Sequence, residues 1–580
     1  MRKVYPVSAA FLIGFAVLTL SACVDKDYNL NEDLDLTIAI GGNEFAIPGG
    51  MTEEIKLSKV LKLEDDDVIR VDGDGNYFLF QEGDPTSSKI SVKGFDINSP
   101  SINPTKKTLD FQKLTTFGRA GSEVYTATVP IDDKPAEFSF EENNLPAEIK
   151  SVSFITVDLD VKINFSYTQG VISQITMNEV AVYMPEFFVS QELEDNIYYI
   201  RNKVIEEGAP NEMTVHIKGF DCSKLPEGQG VNGILHKLFI EGSLNMSGTF
   251  SANSGDFNGV PGTNQVNLEA NYTLTNIKVN KIKGIIKPEI DMDIKPVTID
   301  NLPDFLSDDE VRLDVKNPMI FLSLNNQTPV ETGITGTLSS YKDNQPLAGP
   351  IPIVIESIKP NEDQLFCLSP EGTAETGVTN IKVPQLTQLI ERIPDEIRFD
   401  VDIAATDKEV EVELNKDYTI DTGYSLNVPF VFGPNLSIVY KDTIDGWQDD
   451  LEDYEIKTIN VTSKVASKVP LDLVFTAEAI TTDAINGHVT LDGVNIKVKA
   501  NGSDSDNTIK AGNAQGVETP IVIEIKEVTE GSIKKLDGLI LRAVAKSGQG
   551  NEVNRLNENQ TIQLKEIKLK VPGGIKVNLN

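Results

Sequence analysis

The chain has 580 residues, 40% of them hydrophobic, with only 3 cysteines, and carries 88 acidic against 52 basic residues for a formal net charge of −36. Such a balance repels phosphate backbones and anionic lipid surfaces, so nucleic acid is not expected as a partner and membrane contact must come from something other than charge. The cysteine count rules out a disulfide scaffold, while the length supplies several hydrophobic cores.

The first element is an apolar leader. Arg2 and Lys3 precede an uncharged run from about Val7 to Leu20, the plan of a secretory signal and shorter than the roughly 20 apolar residues that span a bilayer. It ends in Leu20-Ser21-Ala22-Cys23. An ordinary cleavage site needs small residues and has no call for a thiol. This run resembles the lipobox of bacterial lipoproteins, the signal-peptidase-II type. The resemblance implies that the Cys23 sulfur receives a diacylglycerol, that residues 1–22 are removed, and that Cys23 begins the mature chain. The chemistry suits the residue, because a thiolate is a strong nucleophile, and two or three acyl chains hold far better than one at about 0.8 kcal/mol per buried methylene. The alternative is a buried leader cysteine with cleavage elsewhere. Beyond it only Cys222 and Cys367 remain, which could form one disulfide in an oxidising envelope or stay free.

Residues 23–36 are polar and acidic, with too little apolar density to fold alone, and read as a tether. Asp25 and Asp27 resemble the acidic export signal behind the lipidated cysteine of Bacteroidota-type surface lipoproteins, although Lys26 interrupts the run. A plain solvated spacer is the other reading. Val24 occupies the place where an Asp would retain an enteric-type lipoprotein at the inner membrane. The outer membrane is the expected location, with cell-surface and periplasmic orientation both left open.

From Thr37 onward the hydrophobic period is two. Val68–Val71 and Tyr77–Phe80 flank Asp72-Gly73-Asp74-Gly75-Asn76, which reads as a tight hairpin. A calcium loop begun at Asp72 would need Gly and Glu where Tyr77 and Gly83 stand. The stretch from Ile55 to Asp84 resembles the front of uncharacterised all-β Bacteroidota-type surface lipoproteins, which implies a fold and a location but no activity. Strands are expected at 124–129, 152–165, 171–183, 214–220, 238–250 and 266–279, with a mobile tip at 251–263. Between them, Leu193, Ile197, Ile200 and Val204 stand at helical spacing and predict a helix over 191–207.

A phrase then recurs. Leu145-Pro146 precedes Leu159-Asp160-Val161, Leu302-Pro303 precedes Leu313-Asp314-Val315, and Ile393-Pro394 precedes Phe399-Asp400-Val401. Since proline marks strand entries, three related β-modules are expected, with chance recurrence of strand-entry chemistry as the alternative. About seven strands fit between Ile285 and Val383, the size of an immunoglobulin-like sandwich. Pro384 opens a short helix carrying Leu386, Leu389, Ile390 and Ile393. Alternating runs at 424–432 and 436–440 around Gly433-Pro434-Asn435, and at 567–571 and 575–579 around Pro572-Gly573-Gly574, predict two hairpins. The expected organisation is a β region over 37–110, a sandwich over 111–281, an immunoglobulin-like domain over 282–383, and one or two β domains over 384–580.

Catalytic machinery is not visible. His216, His236 and His488 stand far apart without metal-ligand spacing, and no nucleophile elbow or phosphate loop occurs. The acidic loop Asn501–Asn507 could hold Ca²⁺ but reads better as a solvated turn. No catalytic residue, metal ligand or cofactor beyond the lipid on Cys23 is assigned. The expectation is therefore an all-β, multi-domain, lipid-anchored envelope protein, non-enzymatic, presenting β-modules for adhesion, assembly with other envelope proteins, or ligand capture. Alternatives are a glycan-binding component of a nutrient-uptake system, a fimbrial subunit and a glycoside hydrolase. Trp447, the only tryptophan, offers a glycan few aromatic platforms.

Overall fold

The computed structural model describes residues 37–578 except 41–43, 61–67, 115–122, 132–133, 263–264, 293, 301, 304–305, 307, 484–486 and 549–553. The fold is all-β, as the period-two patterning requires. Its larger sheets stack in pairs into three sandwiches, and nearly every described strand pairing is antiparallel. One parallel pair, Glu362–Ser369 with Val378–Lys382, is the exception.

The first sandwich is built from residues 105–286 together with Glu409–Glu413. One sheet centres on Ile149–Tyr167 and Val266–Ile286. The other centres on Gln174–Tyr183 and Lys237–Asn253. Alternation explains the core directly: Ile155, Val157, Leu159, Val161, Ile163 and Phe165 all point inward and are at most 1% exposed. Each such side chain contributes about 1.5–3 kcal/mol on burial. Phe140, Phe187, Phe188 and Phe220 close one end as an aromatic cluster, with Phe220 stacked on Phe140 and Phe188 at centroid distances of 5.2 and 5.5 Å.

The middle sandwich pairs a sheet containing Thr332–Lys342, Gln345–Ile358 and Glu396–Ala405 with one containing Met319–Asn326, Asp417–Pro429 and Tyr77–Glu82. In the last, Thr458–Ser467, Val517–Glu527 and Thr561–Pro572 face Ile438–Ile444, Leu471–Asp483 and Gly538–Ser547. The chain enters these units in nested order. Thr37–Ile40 and Glu44–Gly50 pair with Ile575–Asn578 and Thr561–Pro572 in the last unit. Thr86–Ser91 joins the middle one, and the chain then lays down most of the first sandwich before returning outward, with Glu409–Glu413 added later beside Val266–Ile286.

This nesting corrects the expected segmentation. Sheets cross the lines drawn at 110/111 and 383/384, because Thr105–Leu109 pairs with Val266–Ile286, and Thr332–Lys342 pairs with Glu396–Ala405. The strands between 282 and 383 do not form a self-contained immunoglobulin-like module, since Asp417–Pro429 and Tyr77–Glu82 complete their sheet. Of Leu313-Asp314-Val315 only Val315 makes a bridge, an isolated one to Phe432, whereas the other two copies of the repeated phrase lie in strands.

Three local expectations also fail. The segment predicted as a helix is a strand, Ile197–Glu206, entered through Asp195 and Asn196 at φ 48° and 62°. Glu194 and Ile197 exchange both backbone hydrogen bonds across that turn, at 2.9 Å each. Two consecutive positive φ values favour Asn and Asp and suit the twist of a hairpin; the Asp-Asn pair therefore outweighs the helical spacing. The run ending at Phe432 does not fold back on 436–440. Gly433 and Asn435 instead donate their amides to Asp314, at its carbonyl and carboxylate oxygens respectively (2.5 and 2.8 Å), making a corner that carries Ile438–Ile444 to the last sandwich. At the C-terminus Gly574 N–H donates to Val571 O at 3.1 Å, yet the two arms diverge into different sheets. Alternation reports which face is buried, not which strand lies alongside.

Other expectations hold. Ile69–Val71 pairs with Tyr77–Glu82. The Asp72 carboxylate accepts from the amides of Asp74 (2.9 Å) and Asn76 (2.8 Å), a turn rather than a ligand set. Pro384–Leu389 is a short 3₁₀ helix that buries Leu386 and Leu389. The expected mobile tip at 251–263 does not hold in its first half: Ser251–Asn253 continue the strand Lys237–Asn253, and Phe257 packs edge-on against Phe111 and Tyr125.

Candidate functional site

Leu20, Ser21, Ala22, Cys23, Asp25 and Asp27 lie outside the described residues. Cys222 and Cys367 are both free. The disulfide fails for a topological reason: Cys222 follows Glu212–Asp221 in the first sandwich, and Cys367 lies within Glu362–Ser369 in the middle one. Burial, and then the nearby Asp221 charge, push the Cys222 thiol up to about 12.

The three histidines remain apart. His216 Nδ1 meets Asp160 Oδ1 at 2.6 Å on a solvent-facing ladder where Asn276 donates to Asp160 Oδ2 at 2.7 Å. Burial raises the Asp160 carboxyl, but the bonds to His216 and Asn276 outweigh it and leave the net shift downward. In the acidic loop, Asp504 pairs with Lys499 at 2.9 Å and Asp506 accepts from Thr508 N–H at 2.9 Å, so both serve the turn. Among the described residues no group of three His, Cys, Asp or Glu side chains is placed to hold a metal ion.

What the fold does assemble is an apolar cavity inside the last sandwich. Val517–Glu527 turns Ile521, Ile523 and Ile525 inward by simple alternation, and Leu539 and Leu541 face them from Gly538–Ser547. In Thr561–Pro572 the inward residues are Leu564 and Ile567, three apart rather than two. A β-bulge makes this possible. Glu566 takes φ 52°, and the register against Thr458–Ser467 shifts between Thr462 and Lys464.

The interior packs as two separate ends. One is gathered around Ile459, Ile525, Ile533 and Leu539, and the other is joined to the middle sandwich through Val465, Leu471, Ile509 and Leu564. The cavity, of ≈ 60 Å³, lies where these clusters face each other. Of its polar neighbours Ser463, Thr476 and Asn507, two are committed to backbone: Ser463 donates to Lys565 O at 3.0 Å, and Asn507 donates to Phe475 O at 2.8 Å. The space has room for roughly four to six waters but offers them almost nothing to bond. Left empty, it costs about 1.4 kcal/mol at roughly 24 cal/mol per Å³.

Trp447 and Asn507 are the lining residues outside strands. The Trp447 loop is tied down by Asp537, itself only 7% exposed. Trp447 N–H donates to Asp537 O at 2.8 Å, while Gly446 and Gln448 donate their amides to Asp537 Oδ1 at 3.2 and 3.3 Å. Thr482 donates to Oδ2, and His488 Nε2 stands 3.1 Å from Asp445 Oδ2 and 3.7 Å from Asp537 Oδ2. Burial pushes the Asp537 carboxyl up, but the Thr482 hydroxyl, the two amides and His488 together bring it below its ordinary value. Gly538 matters as well, because a Cβ there would sit 1.8 Å from Ile444 O and force the cavity wall apart.

The arrangement excludes water and offers dispersion contacts; it has no nucleophile, no general base and no anion cradle. Sequence reading noted Trp447 but missed the cavity. The alternating Ile521, Ile523 and Ile525 were a visible signal of an inward face, whereas the facing strands are set by tertiary pairing.

No protein-family model matches the chain, and no curated protein matches it. Among solved structures it is similar to a protein of Parabacteroides distasonis ATCC 8503 inferred to be secreted, 15% identical over 51% of this chain and 83% of that one, with a TM-score of 0.34. It is also similar to the structure of Sulfolobus turreted icosahedral virus, 14% identical over 84% of this chain and 92% of that one, at a TM-score of 0.11. Neither superposes closely enough to transfer a function.

Proposed function

We propose that the chain is a lipid-anchored, non-enzymatic protein of the bacterial cell envelope, held in the outer membrane through Cys23, whose β-sandwiches present surface for ligand or partner capture. The observation that carries this reading is Leu20-Ser21-Ala22-Cys23 at the end of a charged-then-apolar leader. The topology is consistent with it. Thr37–Ile40, the first described strand, pairs with Ile575–Asn578, so the tether leaves from the last sandwich. The 14 steps from Cys23 to Thr37 reach at most roughly 50 Å when extended, which keeps the attachment point of that sandwich within this distance of the bilayer.

Metabolic labelling with palmitate tests the anchor. The wild type is expected to incorporate label and fractionate with the outer membrane, and Cys23→Ala to remain unlabelled as a longer precursor. Normal processing and membrane retention of Cys23→Ala would overturn the proposal. Protease treatment of intact cells then separates outward from periplasmic presentation.

A further inference from the structure

We infer that the outward face of one sheet of the last sandwich docks on an anionic phospholipid surface, that of the bilayer its own anchor enters. The net charge of −36 conceals a local reversal of sign. In the sheet formed by Thr561–Pro572, Thr458–Ser467, Val517–Glu527 and Val494–Ala500, Val461, Val465, Ile525, Leu564 and Ile567 are buried, so the alternate positions face out. Lys565, Lys568 and Lys570 stand there on the first strand, Lys464 on the second, Lys526 on the third, and Lys497 and Lys499 on the fourth. Among the described side chains of these strands, three carboxylates share the face, and each is held by a lysine. Glu518 pairs with Lys565 at 2.8 Å, Glu524 with Lys499 at 3.2 Å, and Glu566 with Lys464 at 2.5 Å. Asp504, from the loop beyond the fourth strand, also reaches Lys499. Lys497, Lys526 and Lys568 are exposed, and the face keeps an excess of positive charge.

The kind of residue selects the occupant. A protein interface draws on aromatic residues and arginine and is poor in lysine, yet none of these four strands contains an aromatic residue or an arginine. Lysines are compact charges on flexible stems, and spread over four adjacent strands they suit a fluid plane of phosphates better than one fixed ligand. Exposed apolar side chains stand at two borders of the face. Met51, between Gly50 opposite Ile567 and Thr52 bonded to Leu564, is 67% exposed, and Val528, just past Val517–Glu527, is 70% exposed. Such side chains can enter a headgroup layer. Position supplies the source. Lys568 and Lys570 lead through Gly573-Gly574 into Ile575–Asn578, the partner of Thr37–Ile40, where the tether departs, and Lys526 lies opposite Thr458 at that same end. An anionic bilayer repels the acidic remainder of the molecule and attracts this face, which sets the orientation. The choice of this bilayer rests on the anchor proposed above; the charge of the face does not.

The lipidated full-length protein is reconstituted into phosphatidylcholine vesicles with or without phosphatidylglycerol, and its lysines are acylated with a water-soluble amine reagent and read by mass spectrometry. Labelling of Lys497, Lys526 and Lys568 is expected to fall only in the anionic vesicles and to recover in high salt. Exposed Lys218 and Lys382, in the other two sandwiches, should label equally in both. The Cys23→Ala chain, which lacks the anchor, should sediment with the anionic vesicles. In that background Lys497→Gln, Lys526→Gln and Lys568→Gln should each weaken binding about fivefold, and Lys382→Gln should leave it unchanged. This second arm decides the face by itself, so lipidated protein that floats with neither vesicle would count against the anchor alone. Equal labelling in the two vesicles, or unchanged affinity in the three variants, would overturn the inference. So would protection by soluble polyglutamate without protection by vesicles, which would assign the face to an acidic protein.

Discussion

Replacing Asp537 by alanine removes the carboxylate that holds the Trp447 loop against the last sandwich. Three donors lose their acceptor: the amides of Gly446 and Gln448, at 3.2 and 3.3 Å, and the Thr482 hydroxyl. A hydrogen bond to a charged group is worth about 1.5–3 kcal/mol net. Both amide bonds are long, and Gly446 is exposed and can turn to water, so their share lies at or below the bottom of that range. Removing a carboxylate that is only 7% exposed also relieves its desolvation cost. A loss of about 2–3 kcal/mol from the last sandwich is expected. The bond from Trp447 N–H to the Asp537 backbone oxygen at 2.8 Å survives the substitution, so the loop loosens without detaching. The assay is urea unfolding followed through Trp447 emission, which reports on this sandwich because the chain has no other tryptophan. The midpoint should fall, and native emission should shift to the red as the indole gains water. Asp537→Asn, which keeps an acceptor oxygen but not the charge, should fall between the two. A midpoint within about 0.5 kcal/mol of wild type, with unchanged emission, would refute the assignment of Asp537 as the loop's anchor.

The same carboxylate gives a pH dependence. Because its folded value lies below its ordinary one, its contribution is fully present above roughly pH 4 and is lost as pH falls through the depressed folded value. The gap in urea midpoint between wild type and Asp537→Asn should be constant above that point and close below it; a gap that widens in acid would mean the shift has the opposite sign. The thiols provide an independent check on topology. Cys367 is fully buried and the Cys222 thiol is pushed up to about 12, so both should resist alkylation at neutral pH and react once the chain is denatured, with equal gel mobility with and without reductant. Protein that shows no thiol in denaturant, or migrates faster unreduced, would contradict the placement of these residues in separate sandwiches.

Fold class was legible because burial on one face imposes a period of two, and Ile149–Tyr167 displays it without a break from Ile155 to its end. Partners were not legible, because the same alternation suits any strand that shares a core. Tyr424–Phe432 shows this well: its inward residues were evident, yet Met319–Asn326 and Tyr77–Glu82 lie beside Asp417–Pro429, and nothing local to the run specifies them. The helix error at 191–207 came from weighing apolar spacing above turn chemistry, although Asp195-Asn196 is a pair suited to positive φ. For the candidate site, the inward face of Val517–Glu527 could be read but the void could not. Whether Leu541 or Phe475 meets those isoleucines or stands off from them depends on bulges such as the one at Glu566.

The nested topology ties the looseness of the last sandwich to its place in the chain. Gln563 donates its side-chain amide to Thr52 O, and Leu564 its backbone amide to Thr52 Oγ1, across 511 and 512 residues. Closing such a loop in an unstructured chain costs about 5.5 kcal/mol by the logarithmic rule, before any strand contact repays it. If the first and middle sandwiches form beforehand, they stand in for most of those residues and the remaining closure is short. Physical economy therefore favours assembly from the inside out, with the outermost unit last. That unit draws on both ends of the chain and packs its interior as two clusters with a gap between them, whereas the first sandwich, built from nearly contiguous chain, is continuous throughout its core. The void of the last sandwich thus sits where a strand from the end of the chain, Thr561–Pro572, meets one from its beginning, Glu44–Gly50, in the unit that closes last.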